Sequence, residues 1–190
     1  LDYLGRLARW DLGSTFLANT GGRTALITQR LPAIWPHTLV LLGTALLVAA
    51  VLGIWLGVVA ARRRSSWLYP LVLVLSLVGV SLPSFSLALL LQIGAVKLGA
   101  AAGRVLLPVG GYGVDLHLVL PALVLAARPL AQIARVTSIA VADVLNMEHV
   151  RVAQSKGLSS RAVWRRHVMR VGAIPILTTL GNSVRYALIS

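Results

Sequence analysis

From Thr38 to Ala61 the chain runs without a charged side chain, and it does so again from Ser65 to Val96. Arg62, Arg63 and Arg64 stand between the two runs. A helix rising about 1.5 Å per residue needs roughly 20 apolar residues to cross a hydrocarbon core near 30 Å, and both runs exceed that. In that medium the backbone must satisfy its own hydrogen bonds, which a helix does within one segment. Composition agrees, since 57% of the 190 residues are hydrophobic and 12% charged. Soluble domains carry roughly twice that share of charge. With no cysteine, a disulfide framework and a thiolate metal site are both excluded.

The segments follow in order. Residues 1–36 hold scattered arginines and are expected to be an external segment. A short surface helix is expected there from Thr24 to Leu31, ended by Pro32, with Trp35 as an interface anchor. Residues 38–61 form a span in which Gly53 and Gly57, one helical turn apart, allow another helix to approach closely. Residues 65–96 form a kinked span. Proline has no N–H and clashes with the preceding turn, so Pro83 within Ser81-Leu82-Pro83-Ser84-Phe85 should bend the helix and free a carbonyl. Freed backbone at membrane depth survives only beside protein or a water-filled cavity, which makes Ser81, Pro83, Ser84 and Phe85 pathway candidates. Residues 97–117 form a glycine-rich external loop, and 116–140 a further span interrupted by Arg128-Pro129. An arginine near mid-span signals a pore, a partner or a snorkelling side chain, so Arg128 joins the pathway candidates. Residues 171–190 begin the next span. Starting at Leu1 without Met and stopping at Ser190 in an apolar stretch, the chain is expected to be an internal piece truncated at both ends.

Between the spans lies the one long water-compatible run, residues 142–170. Asp143 to Lys156 is expected as a helix and Gly157 as its left-handed cap, with Ser159 capping a second helix. On that second helix Val163, Trp164, His167, Val168 and Val171 share one stripe, opposite Arg161, Arg165, Arg166 and Arg170. Such a basic elbow can read DNA as a helix-turn-helix, dock a partner at the inner face of a membrane, or merely obey the positive-inside rule. The net charge of +13 suits all three. The flanking spans favour docking, with the DNA reader left as the alternative of another class. Basic residues cluster at 62–64 and 135–170, whereas 97–117 holds only Lys97 and Arg104, so the elbow belongs on the cytoplasmic side. The whole reads as an all-α polytopic transmembrane helical bundle with a cytoplasmic elbow. No GxxxxGK[ST] motif occurs, so the chain is not itself a P-loop ATPase.

The elbow also carries a resemblance. His149-Val150-Arg151-Val152-Ala153-Gln154-Ser155-Lys156-Gly157-Leu158-Ser159, followed by Arg166-His167 and Pro175, resembles the cytoplasmic loop of ATP-binding cassette importer permeases of the dipeptide, oligopeptide and nickel branch. Trp10-Asp11-Leu12-Gly13-Ser14, Arg30-Leu31-Pro32, Gly53-Ile54-Trp55-Leu56-Gly57, the Ser81–Phe85 run and Leu118-Val119-Leu120-Pro121-Ala122 agree in order. Ser138 stands where the family often has a second arginine and Ser155 where it usually has alanine, and the Arg128-Pro129 pair matches no family pattern.

The resemblance implies a six-span permease of which this chain holds spans two to four and the start of the fifth, in a bacterial or archaeal inner membrane. It implies a second permease subunit, two cytoplasmic ATPase subunits that bind ATP, and an extracytoplasmic substrate-binding protein. The chain itself would have no catalytic, cofactor or metal residue and no nucleic-acid partner. The elbow would be the coupling helix, with Arg151, Ala153, Lys156, Gly157, Leu158, Ser159 and Arg161 docking the ATPase. Peptides are the implied substrate, with nickel or another solute as the alternative. His37, His117, His149 and His167 form no ligand cluster by spacing.

Overall fold

Proline splits a helix at a single place among the described residues, Pro83, and is accommodated elsewhere. A computed structural model describes residues 14–16, 24–111, 113 and 115–189, so Trp10 to Gly13 of the family-like segment, and Tyr112, lie outside the described residues. In the N-terminal unit, residues 1–41, strand β1 (Ser14–Phe16) pairs antiparallel with β2 (Thr24–Leu26), Ser14 opposite Leu26. Helix α1 (Ile27–Arg62) begins directly after β2 and runs through Pro32 and Pro36. The short helix expected from Thr24 to Leu31 is therefore a strand followed by the start of a long helix. Pro32 and Pro36 are the sixth and tenth residues of that helix, beyond its first turn, so each forfeits one ladder hydrogen bond, to the Thr28 and Pro32 carbonyls.

The second unit, residues 42–190, holds the bundle. The expected kinked span is two helices, α2 (Leu68–Ser81) and α3 (Ser84–Ala102). Pro70 sits in the first turn of α2, where it is harmless. Pro83 is different. Leu82 (φ −70°, ψ 128°) and Pro83 (φ −62°, ψ 137°) are both extended, and a following proline favours that conformation at Leu82. The loop expected on the outer side also starts later than residue 97. Helix α3 carries Lys97, exposed, and continues to Ala102. It ends at Gly103 with φ +65°, a left-handed cap that glycine adopts cheaply. In the loop beyond, Asp115 accepts a hydrogen bond from the His117 amide (3.2 Å) and pairs with His117 Nδ1 (2.7 Å). The hydrogen bond from the His117 side chain holds the Asp115 carboxyl below its ordinary range, because it favours the charged form.

A single 3-10 turn (Leu116–Leu118) leads into α4 (Val119–Asn146), the element the bundle is organised around. Pro129 lies inside α4 without ending it. It forfeits one hydrogen bond, to the Leu125 carbonyl, in a helix held on several sides by α2, α3 and the last helix, α7 (Met169–Ile189). Helix α1 meets α4 at Gly53 and Gly57, on the face that also buries Ala45, Ala49 and Ala60. A Cβ on Gly53 would lie 3.0 Å from Ile133 and from the Leu130 carbonyl, and one on Gly57 would lie 2.6 Å from the Ala134 carbonyl. Only glycine admits this approach, and in lipid such close packing replaces the hydrophobic effect as the source of helix association. At the tightest point Thr137 is wholly buried and its hydroxyl has no partner among the described residues.

Among the described residues three helical stretches are long and apolar enough to cross a membrane: Ile34–Arg62, Ser84–Ala102 and Leu116–Asn146. Regular structure outside the N-terminal hairpin is helical throughout the described residues. The protein is thus a multi-pass membrane protein built as an all-α bundle.

Candidate functional site

The elbow is assembled differently from its sequence expectation at one joint. Helix α4 continues to Asn146, the chain turns at Met147 (ψ 144°), and α5 spans Glu148–Ser155. Asp143 therefore lies in the last turn of α4, not the first turn of the elbow. Glu148 takes that role, where its charge suits the helix dipole. Asn146 donates its side chain back to the Ala142 carbonyl, one turn earlier on the same helix. The corner itself is as expected. Gly157 has φ +78° and nothing lies within 4 Å of where its Cβ would be. Backbone conformation alone selects glycine there. The Ser159 hydroxyl accepts from the Ala162 amide at 3.3 Å, next to the start of α6 (Ser160–Val163). That is the expected cap.

After α6 the helix widens. Trp164–Val168 form a π-turn, closed by the Met169 amide on the Trp164 carbonyl, before α7 begins. Such a turn carries one residue more than ordinary pitch requires. The extra residue displaces the apolar stripe. Val163 and Val168 are both buried, and the stripe then continues through Gly172, Ile176, Thr179 and Ser183. Val171, expected on the buried face, is exposed. Arg161, Arg165, Arg166 and Arg170 are all exposed, as expected.

One hydrophobic cluster gathers the elbow and the ends of α1, α2 and α4. Val150 and Ala153 of α5, with Val163 and Val168, pack on Ala61 of α1 and on Val141, Ala142 and Val144 of α4, with Tyr69 of α2 at the edge. Arg62, read from the sequence only as a marker of the inner side, stacks its guanidinium 4.1 Å from the centre of the Trp164 ring, and Arg64 lies over Tyr69 at 5.6 Å. Both are placed for cation–π attraction. His149 and His167 face each other with ring centres 5.7 Å apart. The elbow is thus a wedge fixed under the spans, with one dry face and one wet one.

The wet face holds Arg151, Lys156, Gly157, Ser159 and Arg161, all exposed, and half-covered Leu158. Ala153 does not belong to it. It is 5% exposed and packs inward, where a larger side chain would lift α5 off the spans. Val152, 52% exposed between Arg151 and Ala153, is an apolar member of the wet face that the sequence did not single out. An isolated valine in a basic run carries no signal until the helix phase is known.

The pathway candidates are also brought together. Ser81, Pro83, Ser84 and Phe85 surround the α2–α3 break and are exposed, Phe85 at 68%. Arg128 reaches them across the bundle, its Nη2 donating to the Val80 carbonyl at 3.2 Å. Among the described residues no group of three His, Cys, Asp or Glu could hold a metal ion.

Residues 53–190 match the family described as the binding-protein-dependent transport system inner membrane component. The chain is similar to the dipeptide transport system permease protein of Bacillus subtilis, 38% identical over 74% of this chain and 44% of that protein. It is 37% identical to the di/tripeptide transport system permease protein of Pseudomonas aeruginosa, over 97% of this chain and 60% of that protein. A putative peptide permease protein of Brucella suis is 34% identical over 98% of this chain and 59% of its own length. The chain thus spans between 44% and 60% of the length of these relatives.

Proposed function

Because the chain belongs to the family of binding-protein-dependent transport system inner membrane components, we propose that it forms part of the peptide pathway of an ATP-driven importer in a bacterial inner membrane. In this reading it pairs with a second permease subunit and receives di- or oligopeptides from an extracytoplasmic binding protein. It performs no hydrolysis. Two cytoplasmic ATPase subunits bind and hydrolyse ATP, and the elbow takes up their movement through Arg151, Lys156, Gly157, Leu158, Ser159 and Arg161, with Val152 added from the structure. Ala153 acts beneath them by seating α5.

The observation that carries this reading is the single cluster joining the elbow to Ala61, Tyr69, Val141, Ala142 and Val144. A push on the wet face is delivered at once to the ends of α1, α2 and α4, because close-packed interiors transmit displacement rather than absorb it. The same cluster supports the topology. It requires the Arg62 end of α1, the start of α2 and the end of α4 on one side, which is the side rich in basic residues. Helices α2 and α3 then make one broken span, and residues 103–118 lie outside. Among other solutes, peptides are favoured by the names of the three relatives, each a peptide or dipeptide permease.

The absence of native cysteine makes the test direct. Gly110→Cys is chosen for the outer loop because a Cβ there meets nothing within 4 Å, and Ser159→Cys for the elbow. The expected result is labelling of Gly110→Cys only from outside, and of Ser159→Cys only from inside and blocked when the cognate ATPase is bound. Uptake of a labelled dipeptide by the reconstituted assembly completes the test. Labelling of both sites from one side, or reactivity of Ser159→Cys indifferent to the ATPase, would overturn the proposal.

A further inference from the structure

Pro83 and Arg128 are the two oddities of the apolar runs, far apart in sequence, and one hydrogen bond brings them together at the end of α2. Pro83 has no N–H, and with Leu82 extended the ladder stops at the bond from the Leu82 amide to the Val78 carbonyl. The carbonyls of Gly79 and Val80 thereby lose the donors that residues 83 and 84 would supply in a continuous helix. Arg128 gives Val80 a replacement from another helix, and a charge-assisted one. One turn along α4, a Cβ on Gly79 would lie 2.9 Å from the Ala131 Cβ, so the last turn of α2 rests directly on α4. The end of α2 is therefore held twice, by packing and by the guanidinium. Beyond it Ser81 to Phe85 are exposed.

Depth sharpens the point. At about 1.5 Å per residue Arg128 lies roughly 18 Å from Leu116, well inside a core near 30 Å. A guanidinium there needs water or a counter-charge. No carboxylate pairs with Arg128 among the described residues, and the Val80 carbonyl occupies only one of the donors in its fork. The extended backbone at Leu82 and Pro83 makes the same demand for water.

We propose that Arg128 is a positioning residue of the transport cycle, which holds the α2–α3 break against α4 in a water-filled part of the pathway and so sets the direction in which α3 leaves the break. This rests on the permease reading. The break is where this span bends at no further cost in helical hydrogen bonds, and Arg128 is the contact that fixes the bend.

The test uses the full-length permease assembled with its partner subunits in liposomes, with Leu82→Cys as the only cysteine in the permease. The probe is a membrane-impermeant, positively charged methanethiosulfonate, applied in the nucleotide-free and the vanadate-trapped states. Leu82→Cys is expected to react in at least one state. Adding Arg128→Met should change that rate several-fold and lower peptide transported per ATP hydrolysed about tenfold, the scale of a lost hydrogen bond to a charged group. Arg128→Lys, which keeps the charge and a donor, should stay within about threefold of the parent. A Leu82→Cys that reacts in neither state while the parent transports peptide refutes the aqueous break. An Arg128→Met transporter with the parent's labelling rate and coupling ratio refutes the positioning role. If Arg128→Met does not assemble, the parent rate and the Arg128→Lys ratio still decide. A parent that takes up no peptide sinks the permease reading itself, an outcome distinct from either.

Discussion

Placing a methyl group on Gly57 tests the α1–α4 seam where it is narrowest. The new Cβ would stand 2.5 Å from the Thr137 Cβ and 2.6 Å from the Ala134 carbonyl oxygen. Carbon atoms in contact sit about 3.5–4.0 Å apart, so the helices must separate by about 1 Å. Neither neighbour can swing aside, because one is backbone and the other is a Cβ fixed to it. A gap of that size forfeits up to about half the dispersion energy of each contact along the seam, and overpacking of this kind costs about 1–3 kcal/mol. Alanine also gains up to about 1 kcal/mol of helix propensity. Gly43→Ala isolates that gain, since a Cβ on Gly43 of the same helix meets nothing within 4 Å. Thermal unfolding in one detergent, followed by intrinsic tryptophan fluorescence, should therefore place Gly57→Ala about 2 kcal/mol below Gly43→Ala. Thr137→Ala should not rescue it, because the clash is with the Cβ that alanine keeps. Equal stability of the two glycine variants would mean that α1 and α4 do not touch at Gly57.

Three further outcomes follow from single groups. Gly157→Ala should cost about 1 kcal/mol through the left-handed backbone alone and, on the proposed docking, weaken binding of the ATPase several-fold in a titration, leaving the melting of the spans nearly unchanged. Thr137→Val should be neutral or stabilising by up to about 1 kcal/mol in the same melting assay, because it replaces a buried hydroxyl without a partner by a methyl of the same shape; clear destabilisation would show that the hydroxyl has an acceptor. The Asp115 carboxyl is held low by His117, so its contribution is complete above the ordinary value of 3.8 and is lost as pH falls below that through the lowered folded value. Protection of the His117 amide should fade over that acid window, and Asp115→Asn should abolish the acid step.

Much of this architecture was legible because lipid makes strict demands. The charge-free runs announced helices, Gly53 and Gly57 announced a close crossing, and Gly157 with Ser159 announced the corner. Proline was the poorest guide. Pro32, Pro36, Pro70, Pro129 and Pro175 sit in or at the start of helices that tolerate them, and only Pro83 breaks one. What distinguishes Pro83 is its cover, since Arg128 takes a freed carbonyl and Gly79 lies on Ala131. Sequence spacing alone carries no trace of that pairing. Val152 on the wet face went unseen for a related reason. The start of α5 depends on the turn at Met147, and moving a helix start by a few residues changes which side chains face water.

The widened turn at Trp164–Val168 acts as a phase shifter on an otherwise continuous rod. At about 100° per residue, Val163 and Val168 on a regular helix would point roughly 140° apart. Both nonetheless face inward. The surplus residue absorbs that difference, so the elbow and helix α7 each keep their own bearing while remaining mechanically one piece. Removing one residue from 164–168 would therefore let the turn relax to ordinary pitch with Val163 and the next buried valine still on one face. Removing one from the regular turns of α7 would instead rotate every side chain beyond it by about 100°.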